Sequence, residues 1–268
     1  QLTIVGDAFA RPMLEALDDA ERQGDPYDLS SLKVILSSGV MWSRESKEAL
    51  HRWTAAILAD SLGSSEGVGF AMSVSRPGAA AATASFTLGP NSAVFNEEGK
   101  RVVPGSGERG LLAVRGAIPL GYHNDVDKSA QTFRTFEGET WSVPGDFATV
   151  ESDGTIRLLG RGSACINTAG EKVYPEEVEE VLKLHPLVAD ANVVGVPDEK
   201  WGAAVHAVVA LTGDQQSGSE VEGSLRDHCR HNLAGYKCPK VIHFVSEVQR
   251  GPNGKPDYNW ARGVVVSD

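Results

Sequence analysis

At Gly160-Arg161-Gly162 the residue pattern of this chain changes character, and that change constrains the fold most, because one folding unit has to end there and another begin. Before it, residues 9–20 place apolar side chains at helical spacing, 33–36 read as a strand, 43–53 as a helix behind a Ser43 cap, and 56–62 as a strand again. That alternation predicts a parallel sheet with crossover helices over residues 1–83. Over 84–160 it gives way to short β-rich runs divided by Gly, Pro and Asn, among them 147–151 and 155–159 joined through Ser152-Asp153-Gly154. This stretch reads as an antiparallel β-barrel or sheet. Residues 161–268 read as a compact α+β unit hinged near 162–164. Its expected parts are a helix over 176–184 opened by Pro175, apolar β runs at 191–196 and 203–211, and a strand over 241–245. Another helix starts at Ser219, with Glu222 completing a capping box and Val221, Leu225, Cys229 and Leu233 facing inward. In the loop 250–256, Pro252, Pro256, Gly251 and Gly254 exclude regular structure.

Composition narrows the function classes. Hydrophobic residues at 41% and charged ones at 23% suit a globular core and exclude disorder. A net charge of −11, from 36 acidic against 25 basic residues, makes nucleic acid a poor partner. An anionic small ligand can still be held at short range by backbone N–H groups and one or two cations in a cleft. Cys165, Cys229 and Cys238 are too few and too widely spaced for a disulfide framework or a zinc pair, so a cytoplasmic location is expected. The apolar run 203–211 is interrupted by His206 and too short to span a membrane, and the chain opens with no signal segment. Gln1 is not an initiator methionine and residues 1–5 read as a strand entered midway, so truncation at the amino end is expected.

Polar groups in Gly-rich or turn settings at strand ends mark where an open α/β sheet binds ligands. One such segment is Ser37-Ser38-Gly39-Val40-Met41, and another is Asp60-Ser61-Leu62-Gly63-Ser64-Ser65-Glu66-Gly67. In the second, the glycines allow close backbone approach, the hydroxyls suit phosphate oxygens, and Glu66 suits a hard cation. A plain Gly/Ser turn fits the same residues. Pro144-Gly145-Asp146 offers a carboxylate to a ribose diol or is an ordinary turn. Lys255 is a lone cation on a strongly turning backbone, fit to clamp a transition state or simply solvated. Arg161 and Lys172 are nucleotide contacts or surface side chains by the same reasoning. His228 and His231 stand three apart on one helix without a third ligand, which favours a solvated face over a metal site. No Gly-x-Ser-x-Gly elbow supports hydrolase chemistry.

In this order the segments resemble the later motifs of the adenylate-forming superfamily of acyl-CoA synthetases, luciferases and peptide-synthetase adenylation domains. Residues 37–43 resemble the adenine segment, 60–66 the Tyr-Gly-x-Thr-Glu motif, and 141–146 the segment ending in Thr-Gly-Asp. Gly160-Arg161 through Gly170-Glu171-Lys172-Val173-Tyr174-Pro175 resembles the hinge and the helix after it. Residues 195–202, Pro239-Lys240 and Gly254-Lys255 complete the likeness. The resemblance implies the rear of a large α/β domain with its β-barrel part (1–160) and a small mobile α+β lid (161–268). It implies ATP, Mg²⁺ and CoA, and a carboxylic acid joined to CoA through an acyl-adenylate. Glu66 would hold Mg²⁺ and Ser65 would meet the α-phosphate. Gly39, Val40 and Met41 would line the adenine, and residues Asp60, Ser61, Leu62, Gly63 and Ser64 would complete the nucleotide wall with Lys172. Asp146 and Arg161 would fix the ribose, Lys255 would bridge carboxylate and phosphate, and Gly170 would face CoA.

The chain also departs from the family. Leu62 replaces an aromatic residue, Ser163-Ala164 the usual hinge pair Lys-Asp, and Ala203 a frequent Glu. These changes resemble an actinobacterial branch acting on fatty or steroid side-chain acids. No Gly-rich phosphate loop ending in Gly-x-Pro-Lys is found, so the chain alone is expected not to form acyl-adenylate and to need the missing amino-terminal half. A non-catalytic nucleotide-binding or docking module, a luciferase-like enzyme or a peptide-synthetase adenylation domain remain alternatives, and a homo-oligomer stays open.

Overall fold

The computed structural model describes every residue except Met41, 80–84, Asp214, Asn253 and Asp268; for Ser163 and Ser267 it describes the backbone alone. The chain divides into two compact units, Gln1–Leu158 and Leu159–Asp268.

The first unit begins β1 (Leu2–Ile4), α1 (Gly6–Arg22), β2 (Val34–Ser38), α2 (Arg44–Leu50) and β3 (Ile57–Ser64), with β1, β2 and β3 parallel neighbours. Ser43 caps α2 as its sequence position predicts: its hydroxyl accepts from Ser46 N–H, and both its N–H and Oγ–H donate to Asp7 Oδ1 at 3.0 Å. The inward positions of these helices, Ala10, Leu17 and Leu50, pack with Ile35, Trp42 and Leu58. Next come β4 (Gly67–Ser75), β5 (Ser85–Leu88), β6 (Ser92–Phe95), β7 (Arg109–Val114), α3 (Val126–Thr132), β8 (Phe133–Phe136), β9 (Glu139–Ser142), β10 (Asp146–Val150) and β11 (Thr155–Arg161). They extend the same sheet in antiparallel fashion, in the order β1-β2-β3-β4-β5-β11-β10-β7-β9-β8 with β6 beside β7. The expected mixed α/β character holds, but the barrel expected over 84–160 does not close among the described residues: β8 ends the pairing path at one edge and β1 at the other. The Ser152-Asp153-Gly154 turn does join β10 to β11, with Glu151 N–H donating to Thr155 O at 2.8 Å.

In the second unit a 3₁₀ turn at Gly162–Ala164 precedes β12 (Ile166–Thr168), β13 (Glu171–Val173), α4 (Pro175–Lys183), β14 (Val188–Asp198), β15 (Gly202–Leu211), α5 (Ser219–Asn232), β16 (Val241–Val245) and α6 (Tyr258–Ser267). β14 and β15 pair antiparallel, β15 and β16 parallel. Alternate side chains divide between two cores. Val193, Ala207 and Val209 meet Val178, Leu182 and Leu225 of α4 and α5, whereas Val194 and Val208 meet Ala261 and Val265 of α6. A sheet covered on both faces explains why 191–196 and 203–211 read as apolar runs without alternation. The capping box expected at Ser219 is not formed: Ser219 is already helical, Gly218 takes the cap position, and its carbonyl accepts from Glu222 N–H at 2.9 Å.

Glu179 of α4 is 2% exposed and accepts from Val193 N–H at 2.9 Å. Burial pushes its carboxyl up to about 7, against the pull of Lys183. The folded state thus keeps this proton over a range in which the unfolded chain has released it, so stability falls as pH rises through that range and levels off above it. Between pH 5 and pH 8 the loss should be roughly 2 kcal/mol. Urea denaturation at both pH values should show Glu179→Gln, which keeps an acceptor for Val193, losing that much less than the parent; equal pH slopes would contradict the assignment.

Candidate active site

Two of the predicted segments meet at the carboxyl ends of parallel strands. Ser37 and Ser38 of β2 stand opposite Asp60 and Ser61 of β3, and Ser38 Oγ–H donates to Ser61 O at 2.8 Å. Ser37 is buried, its Oγ accepting from Gly6 N–H at 3.0 Å. Beyond them Gly39 leaves the strand at φ +97°, a left-handed conformation that suits glycine, and is exposed beside half-buried Val40. Met41 lies outside the described residues.

Sequence reasoning puts Asp60 among the nucleotide contacts, but its side chain turns into the protein. It is 4% exposed and 3.6 Å from Lys47 Nζ, itself 1% exposed on α2 and 5.5 Å from the Trp42 ring centroid. Burial pushes the Asp60 carboxyl up to about 6 even with Lys47 beside it. Asp60 therefore braces the strand from below. Lys47 could have been found from spacing, since it lies three residues before inward Leu50 on α2.

After Asp60 the chain surfaces. Ser61 and Leu62 are half-buried, with Leu62 packed on the core that contains Phe70 and Val114, and Gly63 is exposed. The β3–β4 hairpin tip presents exposed Ser65 and half-buried Glu66, and Ser64 Oγ accepts from Glu66 N–H at 3.2 Å. Glu66 Oε1 accepts a 2.6 Å hydrogen bond from Tyr122 Oη–H, a partner that no motif indicated. Asp146 opens β10, half-buried; β4, β5 and β11 lie between it and β3 in sheet order.

One carboxylate with neighbouring hydroxyls suits Mg²⁺, which binds through one or two carboxylates and takes its other oxygens from substrate phosphates and water. Among the described residues no group of three His, Cys, Asp or Glu could hold a metal by itself. A metal held partly by substrate is the arrangement these donors fit.

In the second unit Arg161 is exposed at the end of β11. Lys172 of β13 pairs with Asn167 of β12 and is half-buried. Gly170 turns the β12–β13 hairpin at φ +86° and is exposed, while its neighbour Ala169 donates its N–H to Trp201 O at 2.7 Å. A backbone bare of side chain at that point admits close approach by a narrow ligand. Lys255 is exposed on a loop fastened by Gly251 N–H to Lys255 O and Gly254 N–H to Gly251 O, both 2.9 Å. It lines an open cleft of about 350 Å³ with Ala164, Gly251, Asp257, Tyr258 and Arg262, so a residue of the expected hinge and the expected catalytic cation share one cavity within this unit. No motif or spacing marks Arg250, which ties the loop to β14: its guanidinium grips Asp190 through bonds of 2.6 and 2.5 Å and donates to Gly254 O at 3.2 Å.

The model of the AMP-binding enzyme C-terminal domain matches residues 177–255. The chain is 46% identical over 265 residues to a 3-oxocholest-4-en-26-oate–CoA ligase of Rhodococcus rhodochrous, covering 97% of this chain and 47% of that protein. It is 47% identical over 266 residues to a medium/long-chain-fatty-acid–CoA/3-oxocholest-4-en-26-oate–CoA ligase of Mycobacterium marinum, covering 97% of this chain and 46% of the relative. Among solved structures, an anthranilate CoA ligase in complex with anthranoyl-AMP superposes with a TM-score of 0.78 at 28% identity, over 97% of this chain and 49% of that one. The chain thus spans about half the length of the curated relatives it matches. With these likenesses and the paired strand-end segments, the chain belongs to the adenylate-forming superfamily, carrying an AMP-binding enzyme C-terminal domain over residues 177–255 and resembling acyl-CoA ligases over about half of their length.

Proposed function

We propose that the protein carrying this chain is an ATP-dependent carboxylic acid–CoA ligase, converting acid, ATP and CoA to acyl-CoA, AMP and pyrophosphate through an acyl-adenylate. The observation that carries this reading is the juxtaposition of Ser37 and Ser38 with Asp60 and Ser61, from which the segments 39–40 and 62–66 continue, at the ends of β2 and β3, where an open sheet receives nucleotides. Gly39 and Val40 line the adenine, Ser65 meets the α-phosphate, and Asp146 and Arg161 fix the ribose. Glu66 holds Mg²⁺, which when bound offsets phosphate charge. Residues 161–268 act as a lid turning about 162–164, bringing Lys255 in for adenylation and the Gly170 hairpin in for CoA.

The names of the curated relatives support a fatty acid or steroid side-chain acid as substrate. No helix among the described residues is long and apolar enough to cross a membrane. We place the enzyme in the cytoplasm, where ATP and CoA are supplied. In the protein completed by the amino-terminal half that its relatives possess, AMP release should require all three substrates, and the chain alone should release none. A completed protein that makes no AMP from ATP and CoA with any acid of a fatty and steroid panel would sink the proposal.

A further inference from the structure

We infer that Tyr122 is a positioning residue that holds the Glu66 carboxylate in place for the metal; this rests on the ligase reading given above. Glu66 sits on a hairpin tip, where a side chain with three rotatable bonds sweeps a wide volume unless something stops it. The 2.6 Å bond from Tyr122 Oη–H is as short as a hydroxyl bond to an ionised carboxylate, and it joins residues 56 apart in sequence.

Tyr122 is itself mounted on α3. Its N–H donates to Ser129 Oγ at 2.8 Å, and Ser129 in turn donates to Asp125 O at 2.6 Å. The Lys128 ammonium lies 4.1 Å from the ring centroid, where the ring's negative face attracts it, and the Phe133 ring lies 6.1 Å away. Gly121 belongs to the same mount, because a Cβ there would come within 2.9 Å of Ser129 Oγ. The phenol is thus fixed at its backbone and across its ring face, and its one rotatable hydrogen points at Glu66. Residues recognised by no motif thereby set the geometry of the residue that a motif does mark.

The test uses the protein carrying this chain with the amino-terminal half of its relatives. Mn²⁺ affinity is measured by electron paramagnetic resonance with a non-hydrolysable ATP analogue, and the Mg²⁺ dependence of adenylation alongside. Loss of one bond to a charged group should weaken Mn²⁺ binding about tenfold in Tyr122→Phe, raise half-saturating Mg²⁺ equally, and let excess Mg²⁺ restore turnover. A merely structural tie would lower the melting temperature without moving the metal affinity, and that result overturns the inference. Glu66→Gln separates the two levels. If it weakens Mn²⁺ binding while Tyr122→Phe does not, the positioning role fails and the metal assignment survives; if Glu66→Gln leaves Mn²⁺ binding unchanged, both fall. Should Tyr122→Phe fold poorly, Ser129→Ala, which unfastens the Tyr122 backbone and keeps its hydroxyl, must weaken Mn²⁺ binding in the same direction or the inference fails.

Discussion

Lys255→Ala should lower the rate of acyl-adenylate formation by about 10²–10³-fold while leaving the conversion of supplied acyl-adenylate and CoA to thioester nearly unchanged. The asymmetry follows from charge. Adenylation brings an anionic carboxylate against an anionic phosphate, and a positioned ammonium offsets the repulsion as the pentacoordinate charge builds; removing such a group costs on the order of 3 to 4 kcal/mol. Attack of a thiol on the mixed anhydride has no such anion pair to bring together. The loop suits the task, since its two 2.9 Å backbone bonds hold the turn while the side chain stays exposed over the cleft it shares with Ala164. Pyrophosphate exchange reports the first step and thioester formation from synthetic acyl-adenylate the second. Equal loss in both would assign Lys255 a general structural part, and no loss in the first would remove it from the site.

How much of this could be read beforehand depends on whether the signal was local. Strands whose burial is set by their own alternation or apolar run were legible: 241–245 is β16, and 191–196 and 203–211 lie inside β14 and β15. The Ser43 cap was legible because the accepting hydroxyl and its donor, Ser46 N–H, lie within one turn. α6 was missed, although Asp257 Oδ1 accepts from Asn259 and Trp260 N–H at 3.1 and 2.9 Å, because Gly263 and the Pro-rich loop before it masked the inward spacing of Ala261 and Val265. The barrel was overcalled because strand runs carry no information on closure. In the site, residues on one strand exit were recognisable as a segment, whereas their partners were not. Asp60 looked like a ligand contact until Lys47, from another element, turned it inward. Tyr122 and Asp190 act across 56 and 60 residues, and no spacing rule reaches that far.

Asp190 leads to the second large effect. Arg250→Ala should destabilise the second unit by about 4 kcal/mol, more than removal of a surface ion pair would, because it strands a carboxylate that the fold has largely taken out of water. The Asp190 and Arg250 side chains are 23% and 21% exposed and joined by two short parallel bonds. Burial by itself would raise the Asp190 carboxyl, yet the Arg250 hydrogen bonds and charge hold it below its usual range, so the pair is ionised at neutral pH. The same guanidinium donates to Gly254 O, next to Lys255, so its loss should also loosen the loop that carries the proposed catalytic cation. Arg250→Lys preserves the charge but not the two-pronged grip, and should recover part of the stability with little of the loop's order. Urea denaturation measures the first effect and amide exchange at Gly251 and Gly254, whose N–H groups fasten the turn, the second. If Arg250→Ala lowers stability by less than about 1 kcal/mol, the value of an exposed pair, the bond to Asp190 is not the anchor of this loop. If stability falls while exchange at Gly251 and Gly254 stays slow, the loop is held by its own turn, and Arg250 serves the core of the unit alone.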